Sequence, residues 1–214
     1  DFVADTTLAD VAPAAVDRGH RVFADTMAAV GAGAREPEVQ ALKAKLVPEA
    51  GGESSIIGTG QRTEAAKAAF LNGTAGTFLE LDEGNQYSRG HPGIHAIPAA
   101  LAWGEAHGST GAEVLTAVIL GYEIGARIGF SAKILGTMHP HGTWGTVGAA
   151  VAVAKLAGAD AAQVRETINV ASTLGLATSR QTMLQGGTVR NSFAGFSGQM
   201  GIMAWQMVES GFTG

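Results

Sequence analysis

The chain has 214 residues, 46% of them hydrophobic and 15% charged, which is enough for one globular domain with a sizeable core and excludes a disordered chain. A net charge of −5 without a Lys/Arg cluster argues against a nucleic-acid surface but leaves room for a local pocket that takes an anionic small molecule. With no cysteine, disulfides, thiolate nucleophiles and Cys-ligated metal sites are excluded. Asp1–Asp5 carries no leader pattern, and the uncharged run Gly142–Ala154 is too short and Gly/Ala-rich to span a bilayer. The expectation is a cytoplasmic chain with no membrane or nucleic-acid partner.

Residues 8–31 read as a helix, with Pro13 near its first turn, Val16, Val22, Phe23, Met27 and Val30 in helical register, and Gly31 and Gly33 as stops. A more polar helix is expected at 36–47, opened by Pro37. The Gly-rich 51–60 stretch reads as a loop with room for one short extended piece. Thr63 is expected to cap a helix reaching about Leu79. Further helices are expected at 93–107, 111–134, 143–157, 160–176 and 192–210, with Gly108 and Gly158 as stops and Asp160 as an N-cap. Polar loops cover 80–92 and 178–190. No segment alternates with period two over a useful length, and no internal repeat is apparent. Few aromatics (6%) and 31 glycines favour closely packed helices over a sandwich of strands. The predicted architecture is all-α, a single domain over 1–214.

The 143–157 helix is apolar all round and therefore predicted to be buried, with small side chains that let neighbouring helices come close. The start of such a helix, at Gly142 and Thr143, collects free N–H groups and suits an anion. The alternative is that His139-Pro140-His141 is only a turn and Thr143 a cap. Trp103, Trp144, Trp205, Met200, Met203 and Met207 are expected in the core, and His20 and His107 at the surface or at helix ends.

Two polar loops hold the candidate chemistry. The first, Glu80 to Pro92, carries three carboxylates and His91, the ingredients of acid/base catalysis, or else a solvated acidic loop. His91 and His95 lie four apart at a helix start and, with His139 and His141, could surround a metal, although no carboxylate has clear ligand spacing on the same helix. In the second loop Arg190 can hold a carboxylate bidentately, or pair with Glu80 or Asp82.

The order of these motifs carries more than any one of them. Asn72-Gly73, Glu80-Leu81-Asp82-Glu83, His91-Pro92, Gly121-Tyr122-Glu123, the run from His139 to Ala150, and Gly211-Phe212-Thr213-Gly214 together resemble the MmgE/PrpD family from about Leu8 to the last residue. The resemblance implies a cofactor-free, metal-free lyase or isomerase, dehydratase-like, that moves a proton at carbon beside a carboxylate of a di- or tricarboxylate. It implies catalytic roles for Glu80, Asp82, His91 and His139, with Asp82 orienting a histidine. Arg190, Asn72, His141, Gly142 and Thr143 are then the substrate-binding candidates.

Three positions depart from the family pattern: Thr77 stands for a histidine, Glu80 for an aspartate and Arg190 for a lysine. Family members are about twice this length and carry a smaller α+β domain, so the chain is expected to be a fragment, a cleaved product or half of a split enzyme. A homodimer, or an assembly with a C-terminal-half chain over exposed apolar faces, follows from the same resemblance. Two alternatives stand beside it: a non-catalytic partner subunit, and a metal-dependent hydrolase built on His91, His95, His139 and His141.

Overall fold

Prolines and capping residues set most helix boundaries in the computed structural model, which describes residues 1–49 and 51–214. A short α1 (Phe2–Asp5) is followed by α2 (Pro13–Gly33) and α3 (Pro37–Leu46), each of the latter two opened by its proline. The expected single helix over 8–31 is corrected here. Leu8–Asp10 is a separate 3-10 turn, closed where the Asp10 carboxylate accepts the Thr7 N–H at 2.8 Å. Gly31 lies inside α2, which ends at Gly33 as expected, and Gly33 packs directly on the Ala75 carbonyl.

Strands β1 (Ser54–Ile56) and β2 (Gln61–Thr63) form an antiparallel ribbon where one extended piece was expected. Thr63 is therefore a strand residue, and Glu64 takes the N-cap position of α4 (Ala65–Phe78). Then come α5 (Pro92–His107), α6 (Gly111–Ser131), α7 (Gly145–Leu156) and α8 (Ala161–Thr173). Gly108 ends α5 in the left-handed conformation, and Thr110 and Asp160 open α6 and α8 with capping boxes to Glu113 and Gln163. The loop expected at 178–190 holds a short α9 (Arg180–Leu184) and the beginning of a 3-10 turn at Thr188–Ser192, before α10 (Phe193–Glu209). The chain is thus mostly helical, as the sequence predicts.

Helices α6 and α8 end at Ser131 and Thr173, short of the expected 134 and 176. The Leu176 N–H leaves the helix to donate to the Gly142 carbonyl at 2.5 Å. Further on, the His139 N–H donates to the Thr178 carbonyl at 2.8 Å and the Arg180 N–H to the Thr137 carbonyl at 2.9 Å, so the segments after the two helices pair with each other.

Every residue of α7 from Gly145 to Ala154 is buried, and α5, α6, α8 and α10 all pack against it. The small residues act as expected. A Cβ on Gly148 would lie 2.9 Å from the Gly121 carbonyl oxygen of α6, and one on Gly201 of α10 would lie 2.6 Å from Ala149 Cβ. Helix α4 meets α10 the same way, with Gly73 against Gly195. Trp103, Trp144 and Trp205 are buried, as expected, but Met203 is 39% exposed and Met200 and Met207 only half-buried. Helix α6 is long and apolar enough to cross a membrane by length and composition, yet it packs on α5 and α7 and half of its most apolar stretch is buried.

A methyl group at the α6–α7 crossing has nowhere to go, so Gly121→Ala is expected to destabilise by about 1–3 kcal/mol. Gly31→Ala, on a face of α2 where an added Cβ meets nothing within 4 Å, is expected to stabilise by about 0.5–1 kcal/mol. Denaturant unfolding of the two variants checks both signs.

Candidate active site

Four histidine rings meet at the mouth of α5 and α7. His91 sits at the N-cap position of α5, and His95 follows one turn later. His139 and His141 lie in the turn before α7, held by Thr178, whose hydroxyl donates to the carbonyls of both. Gly142, at φ 87, lets the chain swing from that turn into the helix, and a side chain there would strike Thr178. His141 is the hub. Its ring centroid lies 4.9 Å from His91, 4.9 Å from His95 and 4.8 Å from His139, each pair edge to face.

The two outer histidines carry opposite tautomers. His91 Nδ1 faces the Glu83 carbonyl at 2.7 Å, with the Asp82 carbonyl and carboxylate each at 3.3 Å, so it must hold the proton and leaves a lone pair on Nε2. His139 Nδ1 accepts the His141 backbone N–H at 3.1 Å, so its proton is on Nε2. Burial, with the Arg190 charge adding to it, lowers the His139 pKa to about 4, so its ring is neutral near pH 7. Burial likewise takes His95 down to about 3 and holds His141 well below the usual histidine range. Burial raises the Asp82 carboxyl above its ordinary range, against the opposing pull of His91 and Arg190.

The polar loop after α4 brings the carboxylates. It folds back on the start of α5, where Glu83 Oε1 accepts the Gly93 N–H and the Glu83 carbonyl takes the His91 proton. Arg190, in the 3-10 turn before α10, is buried and paired with the Glu80 carboxylate, with Nη2 donating to Oε2 at 2.9 Å. Its Nη1 also donates to the Thr77 carbonyl at 3.3 Å, and the Thr77 hydroxyl donates to the Asn191 carbonyl at 2.6 Å. The three positions at which the chain departs from the family pattern therefore form one connected unit. Loss of the Glu80 carboxylate alone would leave the buried guanidinium without its ion-pair partner.

A cavity of about 490 Å³ opens over this cluster, lined by Glu80, Arg89, His91, His139, Arg180 and Arg190. Three guanidiniums face a single carboxylate, so its rim is positive on an otherwise acidic chain. Glu80 (φ 57) and Arg89 (φ 56) are the two non-glycine residues in the left-handed region among the described residues, and both line this cavity. Each conformation costs on the order of 1–2 kcal/mol, and such strain concentrates at functional sites.

The structure brings together Glu80, Asp82, His91, His139, His141 and Arg190. It does not bring Asn72, whose amide instead holds the ribbon: Oδ1 accepts the Ile57 N–H at 3.0 Å and Nδ2 donates to the Ser55 carbonyl at 2.9 Å. Nor do Gly142 and Thr143 offer the free N–H groups expected of them. The Gly142 N–H donates to Ser197 Oγ at 3.1 Å and the Thr143 N–H to the Pro140 carbonyl at 3.2 Å, so the start of α7 is closed by its own turn. The Thr143 hydroxyl also donates to Pro140. Arg180 and Arg89 are the residues missed by sequence reasoning, because nothing local marks one surface arginine from another. A second cavity of about 460 Å³, lined by Arg18, Asn85, Tyr87, Tyr122 and Glu123 among others, lies away from the histidines.

Burial pushes the Glu83 carboxyl up to about 8, from an ordinary 4.5. The folded chain thus binds this proton where the unfolded chain has lost it, and stability falls as pH rises between about 4.5 and about 8. Glu83→Gln keeps the acceptor for Gly93 and removes that loss. Thermal melts are expected to show the variant more stable than the parent at pH 8–9, with the difference shrinking as pH falls towards about 4.5.

The whole chain, residues 1–214, matches the MmgE/PrpD N-terminal domain. A cis-aconitate decarboxylase of Aspergillus terreus is 26% identical over 213 residues, covering 95% of this chain and 43% of that protein. A cis-aconitate decarboxylase-like protein of Aspergillus oryzae is 26% identical over 229 residues, covering 100% of this chain and 46% of that protein. The chain therefore spans less than half the length of the curated relatives it matches.

Proposed function

The chain belongs to the MmgE/PrpD family, and from that premise we propose that it supplies the proton-transfer half of a lyase acting on a di- or tricarboxylate. The observation that carries this reading is the opposite tautomers of His91 and His139 at one arginine-rimmed cavity. One ring offers a lone pair and the other an N–H donor, which is what removing hydrogen from one atom and stabilising the charge that develops on another requires. In this reading His91 Nε2 takes the proton from carbon beside a substrate carboxylate. Asp82 and the Glu83 carbonyl hold the ring and stabilise its charge once protonated. His139 Nε2–H, on a neutral ring, donates a hydrogen bond to the departing or newly charged group and stabilises it.

Arg89 and Arg180, exposed at the rim, are placed to meet substrate carboxylates, while Arg190 fixes Glu80 and adds positive potential beneath. The relatives named for cis-aconitate decarboxylase favour a tricarboxylate or its unsaturated derivative as substrate. Loss of water and inversion begin with removal of that proton, whereas loss of CO₂ requires delivery of a proton to the substrate carbon skeleton instead.

Glutamine can imitate the Nε2–H of an imidazole but cannot serve as a base. His91→Gln is therefore expected to lose about 10²–10⁴-fold in turnover, whereas His139→Gln should keep more activity than His139→Ala. Exchange of the substrate C–H proton with deuterated solvent reads the first step directly. If His91→Gln exchanges normally while both His139 variants are dead, the roles are reversed.

Leu81, Tyr87, Phe130, Leu135, Leu184 and Val189 are exposed on the segments that also line the cavity. We read this apolar rim as covered by further polypeptide in the active assembly. Native mass spectrometry of the protein from its own cells is expected to show a dimer, a longer product or a second chain. A lone 214-residue monomer would sink this reading.

A further inference from the structure

Three side chains in the cluster are left without hydrogen-bond partners although they are buried. Both carboxylate oxygens of Asp82, both ring nitrogens of His141 and both of His95 are orphaned, and the two histidines have 0% exposure. Leaving one such group unmade costs about 1–3 kcal/mol, so Asp82 and His141, whose donor atoms lie near each other, call for a common partner. His91 does not supply it: its Nδ1 lies 3.3 Å from Asp82 Oδ2 but gives its proton to the Glu83 carbonyl.

One donor atom each from Asp82, His91 and His141 lie within 4.8 Å of one another. Two imidazoles and a carboxylate form a donor set for a divalent transition ion, with bonds of about 2.0–2.2 Å for zinc. Binding requires the three groups to draw together around the ion. We propose that Asp82, His91 and His141 form a binding site for a divalent transition-metal ion of the Zn²⁺ class, overlapping the proton-transfer site.

This donor set differs from the four-histidine set that the sequence suggests. The carboxylate comes from the loop before α5, outside any helical spacing, and His95 stands behind His141 as a neighbouring ring. Three protein ligands also leave coordination positions open.

Occupancy has a chemical consequence. A neutral imidazole has one lone pair, so an ion on either nitrogen of His91 leaves the other nitrogen protonated and the ring unable to act as a base. Ion binding and proton removal by His91 exclude each other. The exclusion rests on the base role given to His91 above, whereas the binding itself does not.

The test is to strip the purified protein with a chelator and titrate it with Co²⁺, followed by visible absorption, and with Zn²⁺, followed by calorimetry. About one ion per chain is expected, with Co²⁺ bands that Zn²⁺ displaces. His141→Ala and Asp82→Asn should each weaken binding by about tenfold or more, while His20→Ala, at an exposed position on α2, should not. Asp82→Asn is nearly isosteric and carries the test if His141→Ala fails to fold by circular dichroism. Absence of saturable binding, or binding by the folded variants equal to the parent, overturns the site. Saturation with Zn²⁺ should also stop turnover, with recovery on adding chelator. Binding without loss of turnover would keep the site and overturn the base role of His91.

Discussion

The close backbone contact of α7 with its neighbours is the constraint on which the rest depends. Gly148 meets the Gly121 carbonyl, and Ala149 meets Gly201, at distances that leave no room for a side chain. Such contacts depend on dispersion and area burial between nearly smooth surfaces, so they tolerate little displacement. They fix where α7 begins, and hence where the His139–His141 turn stands relative to the start of α5. A Cβ on Gly145 would run into the His95 ring, which ties the packing of the core to the position of the histidines.

The polar cluster is built in the reverse manner, from long-range hydrogen bonds between loops. Thr178 holds the histidine turn, Ser197 of α10 takes the Gly142 N–H, and the Glu83 carbonyl orients His91. None of these partners is close in sequence to the group it holds, save Glu83. The result is two histidines whose protons sit on different nitrogens for reasons fixed by backbone geometry rather than by the solvent. A pair so arranged presents one acceptor and one donor without prior reorganisation. The orphaned groups beneath it, Asp82, His141 and His95, are the unsatisfied remainder of the same arrangement.

The departures from the family pattern also become intelligible in three dimensions. Glu80 and Arg190 are coupled through their side chains, and Thr77 joins them through its backbone carbonyl. A permanently charged guanidinium at this depth requires a carboxylate partner, and the longer reach of Glu80 supplies it in a bidentate pair. The cost is a left-handed backbone at Glu80, next to a second one at Arg89.

The sequence by itself determined the helical class, most helix boundaries, the burial of α7 and the two loops that carry the chemistry. Those features follow from local signals: proline at a first turn, capping boxes at Thr110 and Asp160, left-handed glycine at Gly108, and a run of small residues without charge. It did not determine the β1–β2 ribbon, whose strands are three residues each and too short for a periodic signal. Nor did it determine that Asn72 serves that ribbon or that the amides of Gly142 and Thr143 are already engaged, since a hydrogen-bond partner is a matter of proximity in space. The tertiary structure alone decided which histidine carries its proton on which nitrogen. It also decided that Arg190 pairs with Glu80 across 110 residues and that Arg89 and Arg180 share a cavity with both. The reason is physical: propensity and periodicity are properties of neighbours along the chain, whereas tautomers, ion pairs and cavities are set by groups brought together only after the helices pack.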